Sequence, residues 1–299
     1  MLRNFIYFIN PISGTKNKDA LLKLIEERTG RQNIPYQLLH TNASGDYYYL
    51  VDKIKTENIT DVIICGGDGT INQIATALLN IDVNIGIIPM GSGNGLALAA
   101  GIPGKPMKAL DIIFKNKASY IDGFYINNSF SCMLCGLGFD AQVAHDFAKH
   151  PSRGLATYIK LSLRNFLSAR AYPFAIEING ADINTNAFFI SIANSNQFGN
   201  NFTIAPKASL CDGLLDIVIV NKMSKIKLVY TLLKQIRLGQ VQQVSGKKYH
   251  KTGIQYFQAA SLAIKNPSSA PLHIDGDPAI TSVQFKINIV GNAIRLLQP

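Results

Sequence analysis

Tryptophan is absent from this 299-residue chain, cysteine occurs four times, and only 16% of the residues are charged. Four thiols (Cys65, Cys132, Cys135 and Cys211) are too sparse for a disulfide scaffold and suit a reducing compartment. Cys132 and Cys135 form a CxxC, but with no second pair and no histidine at ligand spacing they read as buried thiols rather than as a zinc or redox centre. Uninterrupted apolar runs are short, such as Phe5 to Ile9, against the ~20 residues of a bilayer-spanning helix. That run is also too short for the core of a signal peptide, and Asn10-Pro11 follows it in place of small residues. The start therefore reads as a strand, and the expected location is the cytoplasm. The low charge does not mean disorder, because 47% of the residues are hydrophobic. At roughly one domain per ~150 residues, the length suggests two.

The charge is unevenly spread. The net +10 divides into 12 basic and 11 acidic residues over 1–122, against 17 and 8 over 123–299. Two stretches contain no acid: 147–176, with Lys149, Arg153, Lys160, Arg164 and Arg170, and 217–251, with eight lysines and arginines from Lys222 to Lys251. Such segments attract polyanions, although a solvated face is the commoner reason for them. Within the second, Ile226, Val229, Leu233 and Ile236 recur at helical spacing, which fits a helix lying on lipid or packed on its own domain.

Over the first 120 residues, β-rich runs alternate with helical patterns. Strands are expected at Phe5–Ile9, Tyr36–His40, Asp61–Cys65 and Ile85–Pro89, and helices at Ala20–Arg28, Tyr47–Thr56 and Ile71–Leu79. That order predicts a parallel sheet covered by helices. From 123 the texture changes to short strands at 174–178, 187–193, 215–220, 261–265 and 283–290, with turn signals at Asn179-Gly180 and Asp212-Gly213 and helices near 153–169 and 224–238. The reading is thus an α/β lobe over 1–122 and a mainly β lobe from 123 onward.

Three glycine-bearing turns follow the strands of the first lobe: Asn10-Pro11-Ile12-Ser13-Gly14, Gly66-Gly67-Asp68-Gly69-Thr70 and Gly91-Ser92-Gly93-Asn94-Gly95. Ligands of open parallel sheets bind beyond the strands' carboxyl ends, and glycines at helix N-termini let backbone N–H groups approach phosphate oxygens. An aspartate among phosphates would repel them unless a cation such as Mg²⁺ were present, so Asp68 points to a metal–nucleotide ligand. Neither the GxxxxGK[ST] phosphate loop nor a GxGxxG fingerprint at the first turn is present.

The ordered set NPISG (10–14), GGDGT (66–70), GSGNGLA (91–97), GLGFDAQV (136–143), the run from Asn194 through Ala205-Pro206 to DGLLD (212–216), and DGD (275–277) resembles the diacylglycerol kinase catalytic-domain family, which includes relatives acting on sphingosine and ceramide. GGDGT alone is shared with NAD kinases. The resemblance implies ATP and Mg²⁺ as cofactors, a nucleotide-binding first lobe to which the strand at 284–299 returns, and a sandwich-like, lipid-binding second lobe over 123–283. Asn10, Ser13, Gly14, Thr41, Gly66, Gly67, Asp68, Gly69, Thr70, Asn72, Gly91, Ser92 and Asn94 would line the nucleotide. Asp68, Asp122 and Asp277 would be catalytic, Asp140 would face the cleft or the lipid head group, and Ser209, Asp212 and Leu214 would hold a second, structural Mg²⁺. Lys16 and Lys18 are further candidates for touching phosphate.

Two departures stand out. The family motif ends as DGE, with the glutamate as general base, whereas this chain has Asp277, one methylene shorter; and many bacterial members carry aspartate where Gly95 follows Asn94. The implied partners are a membrane lipid and an anionic membrane surface, with no nucleic acid; a homodimer stays open. Alternatives are a soluble-metabolite kinase of the NAD kinase type and a lipid- and nucleotide-binding regulator with little turnover.

Overall fold

The structure, a computed structural model, describes residues 2–14, 18–151, 155–197, 205–224 and 253–299. Lys16 and, from residue 225 on, the expected amphipathic helix at 224–238, with most of the acid-free stretch around it, lie outside the described residues.

Strands β1 (Phe5–Ile9), β3 (Asp61–Gly66) and β4 (Asn84–Pro89) are buried along their whole length, as their unalternating apolar runs require of a sheet covered on both faces. Helices α1 (Lys18–Arg31), α2 (Leu50–Thr56), α3 (Asp68–Ala77), α4 (Gly95–Ala99) and α5 (Pro106–Lys115) accompany them. With β2 (Tyr36–His40) the parallel order is β2-β1-β3-β4. The order reverses between β1 and β3, and a crevice opens at such a switch point, outside the strands' carboxyl ends. All three glycine turns leave from that edge.

The second part is antiparallel. It comprises β5 (Ala118–Ile126), β6 (Ser129–Ser131), β7 (Leu134–Gly138), β8 (Tyr172–Ile178), β9 (Ala181–Ala193), β10 (Leu215–Asn221), β11 (Ile254–Ala259), β12 (Ser261–Lys265), β13 (Leu272–Ile274), β14 (Asp277–Ala279) and β15 (Gln284–Leu297), with α6 (Phe139–Lys149) and α7 (Leu155–Ser168). The long β9 pairs with β8 through its first half and with β7 and β10 through its second, so one strand serves two pairings. Ile176, Ile190, Ile217, Ile264 and Ile287 fill the core of this part.

The junction is continuous rather than hinged by a loop. Strand β15 pairs with β12 through 284–288 and with β5 on either side of a bulge between Val290 and Ile294, and joins β4 only at Arg295 and Leu296. The expected division at 122/123 thus falls inside β5, and only the end of β15 returns to the first lobe. Several short elements had no sequence signal of their own: α6, β7, β11 and the β13–β14 hairpin.

Candidate active site

The three glycine turns are drawn together by specific contacts. Asn10 closes the first on itself by accepting the Ile12 N–H at Oδ1 (3.1 Å), and its Nδ2 donates to Thr70 Oγ1 (2.8 Å) in the second. Ser13 Oγ donates to the Asn10 carbonyl, and Lys18 Nζ donates back to the Ser13 carbonyl. Thr41, at the neighbouring strand end, donates its N–H to the Ile9 carbonyl (3.1 Å). Gly67 and Gly91 lie backbone to backbone: a Cβ on Gly67 would stand 3.1 Å from the Gly91 Cα. Asn94, in the left-handed region at φ 51°, accepts the Gly91 N–H and donates to its carbonyl, both at 2.8 Å. Ser92 and Asn94 border a cleft of about 230 Å³ whose apolar wall includes Ala97, Leu98 and Ile102.

Asp68 links the second and third turns. Its carboxylate accepts the Gly95 N–H (2.9 Å) and the Leu96 N–H (3.2 Å). Burial raises its pKa, the two amides pull it down, and the charge of Asp277 raises it again. Asn72, on α3, donates to the Phe130 carbonyl (3.1 Å), fastening the first lobe to the strand that precedes β7.

The hairpin β13–β14 brings the second lobe's acids here. Its loop is Asp275-Gly276, with φ of +49° and +86°, the positive pair that a type I′ turn demands and that Asp-Gly tolerates well. Asp275 is buried, and its Oδ1 accepts from Ser131 Oγ (2.7 Å), Leu134 N (3.0 Å) and Met133 N (3.2 Å), while Oδ2 is buried without a partner. Burial dominates, and the pKa is pushed up to about 6. Asp277 begins β14, is exposed, and reaches across the junction to Gly69: a Cβ at Gly69 would overlap Asp277 Oδ2. Asp68, Gly69 and Asp277 therefore meet at the N-terminus of α3, where developing negative charge is favoured.

Other expected site residues are placed differently. Asp122 is 5% exposed, and both its carboxylate oxygens are taken by backbone amides, Gly213 N–H (2.8 Å) and Asn292 N–H (2.9 Å). Its carboxylate braces the 209–213 turn against β15. Asp140, expected on the cleft or the lipid head group, is 6% exposed and turned inward: Oδ1 accepts the Ala141 N–H, and Oδ2 lies 3.4 Å from His273 Nε2. The carboxylate packs against β7 where glycine leaves it room, since a Cβ on Gly136 would overlap Asp140 Oδ2. Sequence reasoning passed over His273, a lone histidine in a short strand with no local motif.

Ser209, Asp212 and the Leu214 carbonyl offer oxygen donors, which suit a hard cation, although the exposed Cys211 thiol stands in the same turn, 3.8 Å from Ser209 Oγ. Asp212 Oδ1 accepts the Leu214 N–H (3.1 Å), so one carboxylate oxygen is already engaged. Nearby Asp216 is fully buried, hydrogen-bonded by the Tyr256 hydroxyl, and raised to about 6, mainly by burial. No cluster of three His, Cys, Asp or Glu side chains at metal-binding spacing occurs among the described residues. Cys132 and Cys135 are buried thiols whose pKa burial drives upward.

Comparison with known proteins matches both halves. The model of the "Diacylglycerol kinase catalytic domain" covers residues 4–126, and that of the "YegS C-terminal NAD kinase beta sandwich-like domain" covers 134–298, more than half of the chain. A "Probable lipid kinase YegS-like" of Chromohalobacter salexigens is 24% identical over 94% of this chain and 91% of its own length. "Probable lipid kinase YegS" of Salmonella arizonae is 28% identical over 87% and 85%. Among solved structures, a diacylglycerol kinase from Bacillus anthracis superposes with a TM-score of 0.76 at 18% identity, covering 99% of this chain and 97% of that one, a likeness of fold. The chain belongs to the lipid kinase family that joins a diacylglycerol kinase catalytic domain to a YegS-type β-sandwich domain.

Proposed function

We propose that this protein transfers the γ-phosphate of ATP to a hydroxyl of a membrane lipid in the space between the glycine turns and the β13–β14 hairpin. The observation that carries this reading is the position of Asp277. A carboxylate from the second lobe rests on Gly69, beside Asp68 and over the turn whose N–H groups would hold phosphate.

Phosphoryl transfer asks little covalent chemistry of the protein; it needs charge stabilisation, alignment and a proton acceptor. The N–H groups of Gly67 to Thr70 and of Ser92 to Asn94 would bind phosphate oxygens, the Gly91 and Gly95 amides being held within the turns, with Asn10 keeping the turns in register. Asp277, exposed and therefore reachable by substrate, would accept the hydroxyl proton. Asp122 acts at a distance, by holding the strands that carry the site. The oxygen donors present fit Mg²⁺, with Asp68 contributing at the triphosphate and Asp212, Ser209 and the Leu214 carbonyl at the second position. Mg²⁺ bound with the nucleotide would neutralise charge on the transferring phosphoryl group.

Among the described residues no helix is long and apolar enough to cross a membrane, so reaching a bilayer lipid calls for docking from one side. The excess of basic residues after 122 supports attraction to an anionic leaflet, at roughly 1 kcal/mol for each lysine or arginine near the surface.

The test is a screen of diacylglycerol, a sphingoid base, ceramide, phosphatidylglycerol and NAD with purified protein, Mg²⁺ and γ-labelled ATP. Label in a lipid, lost in Asp68→Asn and Asp277→Asn, is expected. Label in NAD would favour the soluble-metabolite reading. Binding of ATP and lipid with no transfer above Asp68→Asn would favour a regulator, the reading to which the shortened Asp277 side chain gives some support.

A further inference from the structure

We infer that His273 is a positioning residue: it holds the Asp275-Gly276 turn, and through that turn sets where the Asp277 carboxylate stands over Gly69. The inference rests on the reading of Asp277 given above and extends it to residues that face away from the nucleotide turns.

The geometry fixes the roles of both ring nitrogens. His273 Nδ1 accepts the Gly276 N–H at 3.3 Å, so the ring proton belongs on Nε2, which faces Asp140 Oδ2 at 3.4 Å. His273 is 1% exposed and Asp140 6%. A buried carboxylate thus orients a buried imidazole, which in turn engages the backbone amide next to Asp277. Gly136 makes room for the pair: a Cβ there would overlap Asp140 Oδ2 and stand 2.5 Å from His273 Nε2. The helix that supplies Asp140 grips the same hairpin a second time, through His145 Nε2 and the Leu272 carbonyl at 2.8 Å. Asp275 clamps the loop from the opposite side through Ser131, Met133 and Leu134. The turn is therefore fixed on two sides, and its exposed arm, Asp277, is the part left facing the first lobe. At metal centres, removing a hydrogen bond that orients a ligand from behind typically costs ~10- to 100-fold in affinity or activity, and the lower end of that range is the effect expected of His273.

Two substitutions separate positioning from packing. In His273→Asn, Oδ1 takes the place of Nδ1 and can still accept the Gly276 N–H. In His273→Gln, the donor toward Asp140 is kept and that acceptor is lost. With full-length protein and the lipid acceptor found by the screen above, His273→Gln should lower kcat about tenfold and leave KM for ATP within twofold, and Asn should recover most of the loss. Combining Gln with Asp277→Asn should cost no more than Asp277→Asn alone. Equal losses in Asn and Gln that follow a common fall in Tm would overturn the inference and leave His273 a packing residue.

A second arm needs no turnover. With ¹⁵N-labelled histidine, His273 should show an unprotonated Nδ1 and a protonated Nε2, and a protonated Nδ1 overturns the inference whatever the kinetics give. If no acceptor is phosphorylated while His273 keeps its proton on Nε2, the kinase reading fails and the hydrogen-bonded turn stands.

Discussion

Replacing Gly69 with alanine separates catalytic geometry from fold more cleanly than removing any acid. The added methyl would overlap Asp277 Oδ2, the far end of a short, exposed side chain, and no other group is brought into conflict. To regain ordinary contact at ~3.5 Å the carboxylate must withdraw by about 1 Å. A misplacement of ~1 Å in a reacting group can cost ~100-fold. The backbone at Gly69 lies in the first turn of α3, where alanine is preferred to glycine by up to ~1 kcal/mol. The expected variant is folded as well as wild type, or slightly better, with kcat reduced on the order of 100-fold. Thermal unfolding followed by circular dichroism and an initial-rate assay with labelled ATP would measure both sides. A Gly69→Ala protein with near-normal kcat would refute the claim that Asp277 works from above this residue. A protein that lost activity only by unfolding would refute the claim that the methyl meets nothing but that carboxylate.

Asp68→Asn should reduce transfer by at least ~100-fold and weaken ATP binding, since one carboxylate both faces Asp277 and receives the Gly95 and Leu96 amides; unchanged ATP affinity by calorimetry would contradict that double role. Asp275 titrates near 6 in the fold against an ordinary 3.8, so the folded state binds that proton more tightly than the unfolded chain. Its contribution is most favourable below about pH 4 and is lost as pH rises through about 6, a penalty on the order of 3 kcal/mol at neutral pH. Asp275→Asn keeps the accepting Oδ1 and removes the buried charge, so its Tm should exceed wild type at pH 7 and the gap should close toward pH 4.5; a gap independent of pH would show that charge is not the cause. Gly136→Ala should destabilise by ~1–3 kcal/mol, because backbone and two buried polar side chains must shift; chemical denaturation would read this, and a neutral effect would mean the dyad is looser than its distances indicate. Vesicle binding should rise with anionic lipid and fall with salt; indifference to both would remove the electrostatic docking idea.

The first lobe was legible because its signals are local. Three of its four strands are apolar runs ended by a glycine turn, and Phe5–Ile9 and Tyr36–His40 coincide with observed strands to the residue. Failures cluster where strands are short or serve two partners. The β13–β14 hairpin has three residues on each side of its turn, too few for any period to emerge. Strand β15 reads locally as a second-lobe strand through Val290; its return to β4 is expected from the resemblance alone, because it depends on a bulge that follows from no local pattern.

The sequence by itself determined the parallel α/β lobe, the three phosphate-suited turns and the membership of a motif-defined kinase family, since each of these is written in contiguous residues. Only the tertiary structure decided what surrounds each aspartate. Asp68 and Asp277 come together across the junction, Asp122 accepts amides from two distant segments, and Asp140 turns inward to a histidine 133 positions away. A carboxylate's role depends on which donors and charges surround it, and those arrive from strands that meet only when the sheet closes.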